Sequence, residues 1–147
     1  MILAIDIGNT NIVVGCFDKD EVLFVERVST DHTKTELEYA ISLKNVLEIY
    51  NIDHKQVDGG IISSVVPPVF NSVRTGVVKV IGKQPMVVGP GLKTGLNIKI
   101  ENPSQTGADL VVGCVAALRQ HKPPMIVIDM GTATTMIALD ETGAFIG

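Results

Sequence analysis

The sequence predicts an α/β protein. Its first lobe is built on a mixed sheet that opens with a β-meander and carries flanking helices, and the beginning of a second, related lobe follows it. Two observations lead there. The first is an internal repeat: Met1–Phe24 (MILAIDIGNTNIVVGCFDKDEVLF) and Pro124–Gly147 (PMIVIDMGTATTMIALDETGAFIG) align without a gap when Asp6 is set on Asp129. In each copy four apolar residues lead to an aspartate, a glycine follows two places on, and then come a Thr/Asn cluster, an apolar run, an acidic turn and a second apolar run. A repeat at this long spacing points to two related lobes rather than a solenoid. The second observation is that the residues between the copies alternate between strand-like and helix-like patterns.

Taken in order, Ile2–Ile7, Asn11–Phe17 and Glu21–Val28 read as three short strands joined by tight turns, with the Asp18-Lys19-Asp20 turn and the β-branched content supporting a meander. Thr35–Tyr50 is a helix, with Leu37, Ala40, Ile41, Val46 and Leu47 near a 3.6 period. Gly60–Val66 is an apolar run bounded by Gly and Pro, as expected of a buried strand. Val69–Ile81 follows as a helix with Pro67-Pro68 at its first turn. Pro85–Val88 is a short strand, and Gly89–Gly95 (GPGLKTG) a loop. A further helix runs from Thr106 to about His121, with Leu110, Cys114, Ala117 and Leu118 as its stripe. Met125–Asp129, Thr134–Leu139 and Ala144–Gly147 then repeat the meander. The expected domains are a first lobe over 1–121 and the opening meander of a second over 122–147. Three strands without a covering helix leave a sheet face unpacked, which suggests a truncated two-lobe protein, or a meander completed by another chain.

Composition narrows the function. At 147 residues and 46% hydrophobic, the chain can bury a sizeable core. Aromatic residues make up only 4%, and the net charge is −4 with no basic cluster, which argues against a nucleic-acid partner. No positively charged leader precedes Asp6, and no apolar run approaches the roughly 20 residues that span a bilayer. Cys16 and Cys114 are isolated in apolar surroundings and read as free buried thiols. Neither a secretion signal nor a membrane is expected, and the expected location is the cytoplasm.

The chemistry concentrates in three places. In Asp6-Ile7-Gly8-Asn9-Thr10-Asn11, an aspartate ends a buried strand and a glycine turn with amide and hydroxyl side chains follows. Such a turn suits a phosphate: Gly8 lets the backbone approach, the turn amides and the Thr10 hydroxyl donate, and Asp6 can hold the water shell of Mg²⁺. The plain alternative is a polar hairpin turn, since these residue types favour turns in any case. The second copy weighs toward phosphate, with Gly131, Thr132 and Thr134 meeting another part of a polyphosphate and Asp129 placed where a cation could sit. Together they suggest a nucleotide held between the lobes. No Walker A motif and no G-x-G-x-x-G after a strand is present. In Thr106-Gly107-Ala108-Asp109, two readings stay open: a variant capping box that serves the helix start, or Asp109 as a general base facing a substrate hydroxyl. His32, His54 and His121 share no ligand-like spacing and read as surface residues.

Asp6–Thr10 (DIGNT), Ser63–Pro68 (SSVVPP), Gly89–Gly95 (GPGLKTG), Gly107-Ala108-Asp109 and Asp129–Thr135 (DMGTATT) occur in this order, and the set closely resembles type III pantothenate kinase, the Bvg accessory factor family, over Met1 to Gly147. The resemblance implies the actin-like ATPase (ribonuclease H-like) fold and transfer of the ATP γ-phosphoryl group to pantothenate, the first step of coenzyme A synthesis. It implies a homodimer that uses Mg²⁺ and a monovalent cation, K⁺ or NH₄⁺. By position, it also implies that the motif from Asp6 through Gly8, Asn9, Thr10 and Asn11 binds ATP phosphates, and that Thr132 touches ATP. Gly107, Ala108, Asp109 and Leu110 would lie against pantothenate with Asp109 as the base, and Asp129 would coordinate the monovalent cation.

This sequence departs from the family pattern in three respects. Leu110 stands where the motif Gly-x-Asp-Arg has Arg, which takes a cation out of the implied pocket. Ile100 stands before Glu101-Asn102-Pro103 where Tyr is common, at a second implied pantothenate contact. Family members are also much longer, so the adenosine pocket and much of the dimer-forming lobe would lie after Gly147. The leading expectation is therefore the N-terminal half of the kinase, with little or no activity by itself. The alternative is a non-catalytic phosphate-binding or assembly module of the same fold. A third reading, another actin-like kinase for an acyl or sugar substrate, fits the GPGLKTG and GAD segments less well.

Overall fold

The computed structural model describes residues 1–147, which divide into two compact units, Met1–Val88 and Gly89–Gly147. In the first unit, β1 (Ile2–Ile7), β2 (Asn11–Asp18) and β3 (Glu21–Ser29) form the meander; α1 (Glu36–Ile49), β4 (Gly59–Ser64), α2 (Pro67–Ile81) and β5 (Met86–Val87) follow. The sheet is mixed, in the order β3-β2-β1-β4-β5. β1 and β2, and β2 and β3, pair antiparallel, whereas β4 lies parallel to β1 and β5 parallel to β4. The parallel register is pinned at its start, where the Met1 ammonium pairs with the Asp58 carboxylate at 2.6 Å and the Asp58 amide donates to the Met1 carbonyl at 2.8 Å.

Alternation decides which face of this sheet is buried. Leu3, Ile5 and Ile7 of β1 stand opposite Cys16, Val14 and Ile12 of β2, and Ile62 of β4 stands beside Ile5; all are in the core. Both helices close this face, α1 through Tyr39, Ala40, Leu43 and Leu47 and α2 through Val69, Val73, Val77, Val80 and Ile81. At about 1.5–3 kcal/mol for each fully buried aliphatic side chain, this one-sided core outweighs the local preferences of the turns. The stripe expected on α1 is only half right: Ala40 and Leu47 are buried, but Leu37 and Ile41 are exposed, and Tyr39 and Leu43 take their place. The Tyr39 hydroxyl bonds the Asp31 carbonyl at 2.6 Å, so a residue that reads as polar in the helix pattern is anchored at the core edge. Gly76 lets the helices meet, because a Cβ there would stand 3.1 Å from Glu36 O and from Ala40 N.

The second unit comprises the loop from Gly89, α3 (Ala108–Gln120), β6 (Met125–Met130) and β7 (Thr134–Leu139), the two strands pairing antiparallel. Its core joins Cys114, Ile137, Leu139 and Phe145 with Leu96, Ile98, Ile100, Leu110, Leu118, Met125 and Val127. One face of the hairpin thus has the helix cover that the sequence reading withholds from it. The other face presents Ile126, Ile128, Met130 and Met136 at 63, 53, 83 and 65% exposure. Ala144–Gly147 is not a regular strand. It is bridged to β7, where the Ile146 amide donates to Ala138 O at 3.0 Å, and to Asn97–Lys99, where the Phe145 amide donates to Asn97 O at 2.8 Å. Helix α3, grouped by sequence with the first lobe, belongs by contact to the unit that begins at Gly89. Both cysteines are free and buried, and burial raises the pKa of each thiol.

Candidate functional site

Two hairpin turns and one helix start carry the residues singled out by sequence. In the first unit β1 delivers half-buried Asp6 one place before its end, and the turn Gly8–Asn11 follows, with Asn9, Thr10 and Asn11 exposed. The turn closes on itself through the Gly8 amide, which donates to Asn11 O at 3.0 Å; a Cβ at Gly8 would press on that oxygen at 3.1 Å. Thr30, just after β3, clamps the turn from outside: its hydroxyl donates to Gly8 O at 2.6 Å and its amide to Thr10 O at 3.0 Å. Asp6 lies opposite Val13 on β2 and Ser63 on β4, on the face away from the helices.

Ser63 is 5% exposed, and its hydroxyl has no hydrogen-bond partner. An unpaired buried hydroxyl costs about 1–3 kcal/mol, so packing alone would favour alanine here. Next to it, Ser64 accepts the Val66 amide at 3.1 Å and turns the chain into α2. An open hollow lined by Ser64, Pro67, Phe70, Asn71, Val87 and Val88 lies at the same carboxyl ends of β4 and β5. In open α/β sheets ligands usually lie at the carboxyl ends of adjacent parallel strands whose chains depart to opposite sides; here those strands are β1, which leads to β2, and β4, which leads to β5.

The second copy of the turn is built differently, although the sequences align without a gap. Between the paired residues Ile7 and Ile12 lie residues 8–11, but between Met130 and Thr134 lie only 131–133. The Gly131 amide closes the shorter turn on Ala133 O at 3.2 Å. A slip of one residue exchanges the faces of a strand. Asp129 therefore stands opposite Thr135, on the face of Val127 and Ile137 that packs on α3, whereas Asp6 stands away from its core. Gly131, Thr132 and Thr134 are exposed, as is Asp129. The Thr135 hydroxyl is buried without a hydrogen-bond partner.

The start of α3 resolves one of the two open readings. No capping box forms: Gly107 is the N-cap, no side chain caps the helix, and the Thr106 hydroxyl is buried and unpaired. Half-buried Asp109 instead accepts the Leu110 amide at 2.8 Å, and its Oδ1 fills the space a Cβ on Gly107 would need. Leu110 and Ile100 both pack against the second core, so each serves the apolar interior where the motif would offer a polar contact. The short connection from α3 into β6 makes helix and strand antiparallel. Asp109 and Thr106 thereby come to the same end of this layer as Asp129 and Thr135, while Leu118 marks the other end, 3.1 Å from the position of a Cβ on Gly143. No group of three or more His, Cys, Asp or Glu side chains is placed to hold a metal ion. Sequence reasoning passed over Thr30, Ser63 and Thr135. Ser63 and Thr135 lie inside quoted motifs, but only pairing register shows that each stands beside an aspartate.

The fold and the turns define a class, an α/β protein with a mixed sheet and three helices that carries the aspartate–glycine hairpin twice. Within that class, the family model of type III pantothenate kinase matches residues 2–147. The chain belongs to that family. It is similar to proteins named type III pantothenate kinase from Exiguobacterium sp., 46% identical over all 147 residues and 58% of the relative, and from Listeria welshimeri, 44% identical over the whole chain and 57% of the relative. It is likewise similar to the protein of that name from Listeria monocytogenes serotype 4a, 43% identical over the whole chain and 57% of the relative. The chain thus spans somewhat more than half the length of the curated relatives it matches. No helix is long and apolar enough to cross a membrane.

Proposed function

We propose that the chain carries the phosphate-binding and base-bearing part of an ATP-dependent kinase that phosphorylates pantothenate, on an actin-like fold. The observation that carries this reading is the family match along residues 2–147, with Asp109 held in the first turn of α3. Asp6, Gly8, Asn9, Thr10 and Asn11, with Gly131, Thr132 and Thr134, take the ATP phosphates. Gly107, Ala108, Leu110 and Ile100 border pantothenate. Its primary hydroxyl gives its proton to an Asp109 oxygen as the hydroxyl oxygen bonds the γ-phosphorus, and the bond to the ADP oxygen breaks. In phosphoryl transfer positioning and charge neutralisation dominate, and the base is auxiliary.

The residues fit the implied ions. A single carboxylate at Asp6, with no acidic cluster around it, suits Mg²⁺ that keeps most of its ligands as water and phosphate. Asp129, with the unpaired Thr135 hydroxyl on its face, offers the one charge and neutral oxygen that suit K⁺ or NH₄⁺. These ions supply neutralisation of the polyphosphate charge. A homodimer in the cytoplasm, without nucleic acid or membrane as partner, completes the reading. Leu110 and Ile100 in the apolar core favour a second reading, a phosphate-binding module without catalysis.

A turnover assay with ATP, pantothenate, Mg²⁺ and K⁺ separates the two. The kinase reading expects slow formation of phosphopantothenate that falls by about 10²–10⁴-fold in Asp109→Asn. A folded chain that binds Mg·ATP and forms no product supports the module, and equal turnover in both proteins removes Asp109 from the chemistry.

A further inference from the structure

We propose that Ser63 is a positioning residue for Asp6: its hydroxyl is the donor that fixes the carboxylate when Asp6 takes up the water shell of Mg²⁺. This rests on the reading of the Asp6 turn as the phosphate site.

Three observations converge on Ser63. It is the polar side chain among buried residues that are otherwise apolar or small. Its hydroxyl makes no hydrogen bond, so a donor is held in the interior with nothing to donate to. And the parallel register of β1 and β4 sets it directly beside Asp6, on the face the helices leave open, one step after Ile5 and Ile62 have gone to the core. Paired residues on neighbouring strands bring their side chains within reach of one another, and rotation about the Ser63 Cα–Cβ bond sweeps the hydroxyl toward the carboxylate. A carboxylate that must present one oxygen to hydrated Mg²⁺ gains from a donor on its other oxygen, which fixes its orientation; outer partners of this kind tune metal affinity. Ser64 cannot serve, since it pairs with Ile7 and so lies on the opposite face of the strand.

The test is Mg²⁺ dependence of nucleotide binding, measured by titration calorimetry on the 147-residue chain, on Ser63→Ala and Ser63→Thr, and on Asp6→Asn. In Ser63→Ala the Mg²⁺ concentration needed for half-maximal binding of ATP is expected to rise about tenfold to a hundredfold, with Mg²⁺-free ATP binding unchanged and Ser63→Thr restoring most of the loss. Thermal unfolding without ligand is expected at or above the parent temperature, because an unpaired donor has been removed. Parent-like Mg²⁺ dependence in Ser63→Ala, alongside its loss in Asp6→Asn, overturns the role of Ser63 and leaves the Asp6 site standing. A parent that shows no Mg²⁺-dependent binding overturns both. An unliganded Ser63→Ala that unfolds well below the parent marks a packing role and overturns the proposal.

Discussion

The two copies of the repeat share a pattern of residues, yet their first strands fold to opposite burial while the second strands agree, Val14 and Cys16 being buried like their counterparts Ile137 and Leu139. In the first, Leu3, Ile5 and Ile7 line the core at 0, 3 and 0% exposure; their counterparts Ile126, Ile128 and Met130 are 63, 53 and 83% exposed. The cause is a single residue of turn length. With residues 8–11 between paired positions, Asp6 faces away from the core; with 131–133, Asp129 faces the helix-covered side. The helices decide which outcome is stable, since α1 and α2 cover one face of the first sheet and α3 covers the face of β6 and β7 that bears Val127 and Ile137. A gapless alignment therefore locates a strand without fixing which side of it is wet.

Matched substitutions break or sharpen this contrast. Ile5→Ala removes a buried side chain beneath both helices and is expected to destabilise by about 2–5 kcal/mol in urea unfolding, whereas the same change at its counterpart, Ile128→Ala, is expected within about 0.5 kcal/mol of the parent. Equal costs at the two sites would contradict the register slip.

Next in size is the clamp on the first turn. Thr30→Val keeps the shape and loses the bond to Gly8 O, at an expected cost of about 0.5–1.5 kcal/mol in the same experiment. A neutral result would mean that the turn holds itself.

The second unit has its own anchor in the turn after β7. Asp140 accepts the Thr142 hydroxyl at 2.6 Å, the Ala144 amide at 3.0 Å, the Lys99 ammonium at 3.0 Å and the Thr142 amide at 2.8 Å, and these bonds hold its carboxyl well below the usual carboxylate range. A depressed folded pKa stabilises above the unfolded value, near 3.9, and that contribution is lost as the pH falls through it toward the folded value. Thermal unfolding from pH 7 to pH 2 should therefore fall more steeply in the parent than in Asp140→Asn, with the variant less stable at pH 7 and the two converging in acid. Parallel curves would remove Asp140 as an anchor.

Much of the architecture was legible in the sequence because its signals are local. The bounds of β1 and β7 match the apolar runs, Thr35 caps α1 in a capping box with Glu38, and Gly82 ends α2 with φ at 69°. The α1 stripe was misjudged because Leu37 and Ile41 fit the period as well as Leu43 does, and only the position of α2 chooses among faces. Asp109 at the start of α3 was legible, but its missing cap was not: Thr-x-x-Asp is compatible with both arrangements, and Asp109 turns to the Leu110 amide instead. The neighbours of the aspartates, Ser63 and Thr135, depend on strand pairing between distant or freely slipping segments, which no single stretch of sequence encodes.

The most direct measurement is amide hydrogen exchange with and without Mg·ATP, followed at both turns. If the repeat supplies two contacts to one polyphosphate, added Mg·ATP should slow exchange at residues 8–11 and at 131–133 together, with half-effects at the same nucleotide concentration. Protection at the first turn with none at the second would contradict a shared ligand and leave the second copy as a structural hairpin alone.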